Sequence, residues 1–231
     1  MPPNISRTHI ATGIALLFHA IGLVGILVFE NDFIIRATVF NLLLSFALLL
    51  WTQKKKNNAF YLIAVLIPLL GFMLEIIGVN TGLIFGSYHY GDVLGAKWKG
   101  VPFIIGINWF IIIYCCGISI HTLLMRIIGR LAPSGSGPPK SIKALSLVTD
   151  GATIATIFDW FMEPVAVKLG FWQWAGEGHI PWYNYFCWFI ASMLLLGIFQ
   201  IAKFKKRNKF AVNLLLIQLM FFMILRTFLN N

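Results

Sequence analysis

The chain has 231 residues, 59% of them hydrophobic and 11% charged, with a formal net charge of +10. A soluble domain carries about 25% charged residues, so composition excludes an ordinary water-soluble fold. In a soluble protein the positive charge would suggest nucleic acid, but at a mean hydropathy of +0.83 it bears on membrane topology instead, and no nucleic-acid partner is expected.

A spanning helix needs about 20 mainly apolar residues. Seven such segments follow in order: Ile10 to Phe29, Phe33 to Trp51, Phe60 to Val79, Val101 to Met125, Ala144 to Val165, Trp182 to Ala202 and Phe210 to Leu229. The prediction is an all-α polytopic membrane bundle of about seven transmembrane helices, forming one domain over residues 1–231. No small-x-small cleavage site follows the first segment before Glu30, so it reads as a retained anchor.

Basic residues gather after the second, fourth and sixth segments. They are Lys54, Lys55 and Lys56; Arg126, Arg130, Lys140 and Lys143; and Lys203, Lys205, Lys206, Arg207 and Lys209. Arg7 lies on the same side, which leaves Arg36, Lys97, Lys99, Lys168 and Arg226 for the other. The positive-inside rule then puts the N-terminus in the cytoplasm and the C-terminus outside the cell membrane. The stretch 133–139, Pro-Ser-Gly-Ser-Gly-Pro-Pro, reads as a flexible cytoplasmic linker within the domain. Cys115, Cys116 and Cys187 sit in apolar runs with no disulfide framework and no metal-ligand spacing.

The two long outer connections, Asn80 to Gly100 and Ala166 to Pro181, are rich in glycine and aromatics. An aromatic belt at the membrane surface accounts for much of that. The spacing Gly86-x-Tyr88-x-Tyr90-Gly91 also has the look of a structured cap over a pocket.

Acids inside spans are the most informative residues, because burying an ionisable group in hydrocarbon costs several kcal/mol and such groups face the bundle interior or a cavity. Glu75, Asp150, Asp159 and Glu163 stand out. At 100° per residue, Thr149, Thr153, Thr156, Asp159, Trp160 and Glu163 share a polar stripe of the fifth segment. Asp159 and Glu163, four apart, are neighbours on it, while Asp150 is left to solvent or to helix capping. On the third segment Pro68, Gly71, Glu75 and Gly78 share a face whose small residues admit a close neighbour, which places Glu75 in the interior. Asn108 lies at a matching depth on the fourth segment. His19 reads as an interhelical hydrogen-bond partner, and His121, His89 and His179 fall outside the expected site.

Three carboxyls therefore converge in the outer half of the bilayer if these helices adjoin. Like-charged groups in a dry place cannot all ionise, so such a set can donate a proton and then stabilise a cation or deprotonate water. Carboxyls serving only as helix glue are the competing account. The second aspartate-rich motif of a prenyltransferase is missing, as are the histidine clusters of a di-iron oxygenase and any nucleotide loop. A carboxyl-coupled transporter stays open, although no inverted repeat is visible.

The motifs Glu75-Ile-Ile-Gly78-Val-Asn80-Thr-Gly82, Phe85-Gly86-x-Tyr88-x-Tyr90 and Gly100-Val-Pro102-x-Ile-x-Gly106-x-Asn108-Trp109 resemble, in order, those of the CruF-type carotenoid hydratases. Asp159-Trp-Phe-Met-Glu163-Pro164, Gly170-Phe-Trp172-x-Trp174 and Ile180-Pro181-Trp-Tyr-Asn184-Tyr-Phe-x-Trp188 continue the resemblance, which covers roughly residues 70 to 190. It implies cofactor-independent addition of water to the terminal double bond of an acyclic carotenoid end, on an acyclic or monocyclic carotenoid taken from the lipid bilayer. No metal is implied, and a homo-oligomer is left open.

On that expectation Asp159 is the general acid, with Glu163 and Glu75 tuning it and stabilising the cation or activating water. Asn80, Tyr88, Tyr90, Asn108, Trp109, Trp160, Asn184 and Trp188 are the expected substrate-binding residues. A cyclase-like isomerase of lycopene, a transporter and a non-catalytic carotenoid-binding protein are the alternatives.

Overall fold

The computed structural model describes residues 6–29, 31–131, 137–176 and 178–229. Among these residues are seven helices long and apolar enough to cross a membrane. In chain order the elements begin with α1 (Arg7–Leu27), α2 (Asp32–Arg36), α3 (Thr38–Thr52) and α4 (Asn58–Thr81). The strands β1 (Tyr88–Tyr90), β2 (Lys97–Trp98) and β3 (Val101–Pro102) follow, then α5 (Ile104–Leu131) and α6 (Lys140–Lys168). The strand β4 (Trp172–Trp174), α7 (Trp182–Ile201) and α8 (Lys209–Leu229) complete the chain. The second span is α2 plus α3, joined at Ala37. Of the expected linker, residues 133–136 lie outside the described residues.

Helix α5 is the axis of the bundle, packed by α3, α4, α6, α7 and α8. Its run from Trp109 to Cys116 is buried on every side, which is how a helix apolar all round is accommodated at a centre. Close packing rests on glycines at the crossings. A Cβ at Gly71 would stand 2.5 Å from the Trp109 side chain, one at Gly106 would stand 2.6 Å from the Pro68 carbonyl oxygen, and one at Gly117 would stand 2.6 Å from Phe199. In lipid, where apolar surface gains little by leaving its solvent, such close approach is a main source of helix association.

Several expected boundaries move by a few residues, two of them for a local reason. The fourth span starts at Ile104 because Val101 and Pro102 pair with Trp98 and Lys97 in a short hairpin, and Pro102 has no N–H to give a helix. The fifth span runs through Pro164 to Lys168. Proline leaves the carbonyl four residues earlier, that of Trp160, without its helical donor, and the Arg226 Nη1 supplies one at 2.7 Å.

The polar stripe of α6 also divides. The hydroxyls of Thr149, Thr153 and Thr156 bond back to the carbonyls of Leu145, Thr149 and Ala152, whereas Asp159 and Glu163 turn inward. Asp150 is exposed and accepts from Ser146 Oγ. His19 bonds within its own helix, to the Ala15 carbonyl at 2.8 Å, rather than across helices, and meets Phe221 edge-on.

The chain connecting α4 to α5 and that connecting α6 to α7 meet over one end of the bundle. There β1 pairs antiparallel with β4, Tyr88 opposite Trp174 and Tyr90 opposite Trp172. Side chains alternate across a strand, so Tyr88, Tyr90, Trp172 and Trp174 all point down into the bundle while His89 and Gln173 are exposed. The tight junction at the strand end needs Gly91, whose Cβ would stand 2.2 Å from the Gly170 carbonyl oxygen.

Candidate active site

Under this aromatic lid Glu75 is buried at the inner face of α4, and its carboxyl is surrounded by donors. Oε2 accepts from the Tyr88 hydroxyl at 2.5 Å and the Tyr90 hydroxyl at 2.8 Å, and Oε1 accepts from Trp109 Nε1 at 2.9 Å. Burial and the adjacent Glu75 carboxyl push the Tyr88 and Tyr90 hydroxyls well above the ordinary tyrosine range, so both remain protonated donors. Gly78, one turn from Glu75, leaves the space that the Tyr88 hydroxyl occupies, 3.1 Å from where a Cβ would be.

Glu163 on α6 receives a second set. Trp172 Nε1 and Trp174 Nε1 donate to Oε2 at 3.0 and 3.1 Å, and Asn184 Nδ2 donates to Oε1 at 3.3 Å. Asn184 begins α7 and donates with the same nitrogen to Asp159 Oδ2 at 3.0 Å. Asp159 is fully buried, and its Oδ1 has no hydrogen-bond partner. Two carboxyls thus have three donors each, and the third has one. Donor number separates the two glutamates from Asp159 chemically.

Between the glutamates lies a cavity of about 20 Å³, enough for one water molecule. Glu75, Glu163, Asn108 and Asn184 contribute polar groups to its lining. Aromatic rings also line it: Trp109 and Trp188 are stacked with centroids 4.2 Å apart, and Phe85 lies 6.2 and 6.4 Å from them. Phe85 is buried with φ of +67°, a left-handed conformation that is costly for a bulky residue and that aims its ring into the cavity. Such a chamber can hold a small polar nucleophile beside proton donors and acceptors, under ring faces that attract a cation.

Most of the expected site residues meet here: Glu75, Glu163, Tyr88, Tyr90, Asn108, Trp109, Asn184 and Trp188 all line the cavity. Asp159 stands behind Asn184 and is absent from the lining. Two expected members are elsewhere. Asn80 is exposed and fastens the hairpin by donating to the Lys99 and Ile76 carbonyls. Trp160 is 42% exposed on the outer face of α6, where the Arg226 guanidinium lies 3.8 Å from its ring centroid. Its neighbour in sequence, Asp159, points inward because adjacent helical residues diverge by 100°.

Trp172 and Trp174, which line the cavity and donate to Glu163, are the side chains that sequence reasoning left in the belt. Their x-W-x-W alternation matches that of Tyr88 and Tyr90 and is the signal that pairs the two segments. Among the described residues no group of His, Cys, Asp and Glu has the arrangement of a metal site.

Against known proteins, the model of a family described as carotenoid biosynthesis protein matches residues 33–231. Bisanhydrobacterioruberin hydratase of Haloarcula japonica is 28% identical over 144 residues, which cover 59% of this chain and 43% of that protein. The chain therefore matches under half the length of that relative. No solved structure matches.

Proposed function

The chain belongs to the family of carotenoid biosynthesis proteins, and from that premise we propose that it is a multi-pass hydratase of the cell membrane, adding water to the terminal carbon–carbon double bond of a carotenoid end group. The observation that carries this reading is the cavity for one water, lined by the carboxyls of Glu75 and Glu163 together with the stacked Trp109 and Trp188 rings.

The chemistry follows from the alkene. A proton added to the less substituted carbon leaves a tertiary carbocation; the water oxygen forms the new bond to that carbon and gives a proton to a carboxylate. One proton enters and one leaves, no oxidation state changes overall, and no redox or group-transfer cofactor is called for. Asp159 and Glu163 both accept from Asn184 Nδ2, and Glu163 carries and delivers the proton because it faces the cavity. Asp159, the favoured acid from sequence, becomes the reserve behind it. Glu75, whose carboxyl accepts from three donors, orients the water and accepts its proton. Trp109, Trp188 and Phe85 face the cation, an attraction of about 0.5 to 2 kcal/mol per ring.

The carotenoid is an apolar chain that enters from the lipid. Its end group is larger than one water, so the aromatic lining must move aside during binding, a gating step of the sort that lids perform.

The test is expression in a bacterium that accumulates lycopene, with the pigments resolved by chromatography, mass and absorption. The expected product is heavier by one or two waters with an unchanged visible spectrum, because the hydrated bond lies outside the conjugated chain. An isomer of equal mass would mean cyclisation instead. Unaltered lycopene, followed by an unaltered monocyclic carotenoid, would leave transport or binding and refute the hydratase.

A further inference from the structure

At the end of the bundle opposite the lid, residues 53–57 between α3 and α4 and residues 202–208 between α7 and α8 enclose an open cleft of about 730 Å³. Lys54, Lys55, Lys56, Lys203 and Lys205 line it, with Asn57 and Phe204. None of the eight acidic residues of the chain falls in either connection. Among the described residues the one Lys–carboxylate ion pair is Lys97 with Asp92, in the lid, so the five lysine charges are uncompensated by the protein.

Topology alone asks for basic residues near the membrane, but not for their convergence. Here the two connections are fastened together. Gln53 Nε2 donates to the Lys205 carbonyl at 2.8 Å, and Asn57 Nδ2 donates to the Lys203 carbonyl at 2.8 Å. Beneath them a buried polar layer fixes both. The Tyr114 hydroxyl donates to Gln53 Oε1 at 2.7 Å, and Asn208 Nδ2 donates to the Leu49 carbonyl and to Thr52 Oγ1. The carbonyls that α7 leaves free at its C-terminus are taken by Lys206, whose ammonium also lies over Phe199 and Phe204. Helices α4 and α8 start at the cleft, and the positive ends of their dipoles add to the field. On the helix ends that flank the two connections, Trp51, Tyr61, Leu62 and Ile201 expose apolar surface.

The geometry points to a binding site for the phosphate-bearing headgroup of an anionic phospholipid, its phosphate held among the five lysines and its acyl chains against that apolar surface. Basic pockets between transmembrane helices recognise such headgroups, each surface lysine adding measurably to the attraction.

The experiment uses the purified full chain in nanodiscs and detergent, with native mass spectrometry and thermal unfolding across a titration of phosphatidylglycerol against phosphatidylcholine. Wild type is expected to retain and be stabilised by phosphatidylglycerol. Replacing Lys54, Lys55, Lys203 and Lys205 by Gln should weaken that preference by about tenfold or more, whereas replacing Arg126, Arg130, Lys140 and Lys143 by Gln should leave it within about twofold. Asn57→Ala keeps every charge but unfastens the cleft, and should cost several-fold. Equal losses in the two charge-removed variants, or an unchanged preference in Asn57→Ala, would mean diffuse surface charge and overturn the site. Stabilisation by millimolar inorganic phosphate equal to that by the lipid would overturn the lipid as occupant.

Discussion

Replacing Gly71 by alanine tests the contact on which the site is built. A Cβ there would stand 2.5 Å from both Cβ and Cγ of Trp109. Carbon atoms settle at about 3.5 to 4.0 Å, so α5 or the indole must retreat by about 1 Å. Trp109 Nε1 is 2.9 Å from Glu75 Oε1, and the same retreat carries it out of hydrogen-bond range.

Overpacking costs about 1 to 3 kcal/mol and the lost bond about 1 kcal/mol, while alanine regains about 1 kcal/mol of helix propensity. The net expectation is a loss of about 1 to 3 kcal/mol. Gly13→Ala in α1, where a Cβ would meet nothing within 4 Å, is the matched control and should be neutral or stabilising. Reversible unfolding in mixed detergent micelles measures both. Because a shift of about 1 Å at a reacting centre can cost up to about a hundredfold in rate, hydrated product should fall as well. A Gly71→Ala protein as stable as Gly13→Ala would refute the close approach of α4 and α5 and the placement of Trp109 against Glu75.

Glu163→Gln and Asp159→Asn should each lower product by about a hundredfold or more at unchanged protein level, as loss of a general acid does; full activity in Asp159→Asn would reduce that residue to packing. Tyr88→Phe combined with Tyr90→Phe strips both donors from Glu75 Oε2, so it should destabilise by about 2 kcal/mol and abolish product, with Tyr90→Phe alone milder, as read by unfolding and pigment analysis. Asn80→Ala and Trp160→Phe alter side chains outside the cavity and should keep activity within about twofold in the same pigment assay, at a stability cost of up to about 1 kcal/mol.

The seven spans and the inward placement of Glu75, Asp159 and Glu163 were legible from sequence, because in hydrocarbon the cost of an exposed charge leaves an acid few places to go. The glycine face of α4 was legible for a similar reason: Gly71 and Gly78 have no purpose on a lipid-facing surface that leucine would not serve better. Periodicity fails where a helix residue sits at the margin of a face. Trp160 shares an angular stripe with Asp159 and Glu163, yet it lies on the outer face, where Arg226 of α8 covers its ring and fills the carbonyl that Pro164 leaves open.

Local pattern likewise could not pair β1 with β4, since their register joins residues more than eighty positions apart and depends on how α4 and α6 are each set against α5. That pairing converts belt-like aromatics into the donors Trp172 and Trp174, and places Asn184 between two carboxyls. Composition and hydropathy determined that this chain crosses a membrane and buries its acids, because solvation is a property of each segment alone. Which acid faces the water-sized cavity and which stands behind it was decided by tertiary structure, because hydrogen bonding and cavity shape belong to side chains brought together from four parts of the chain.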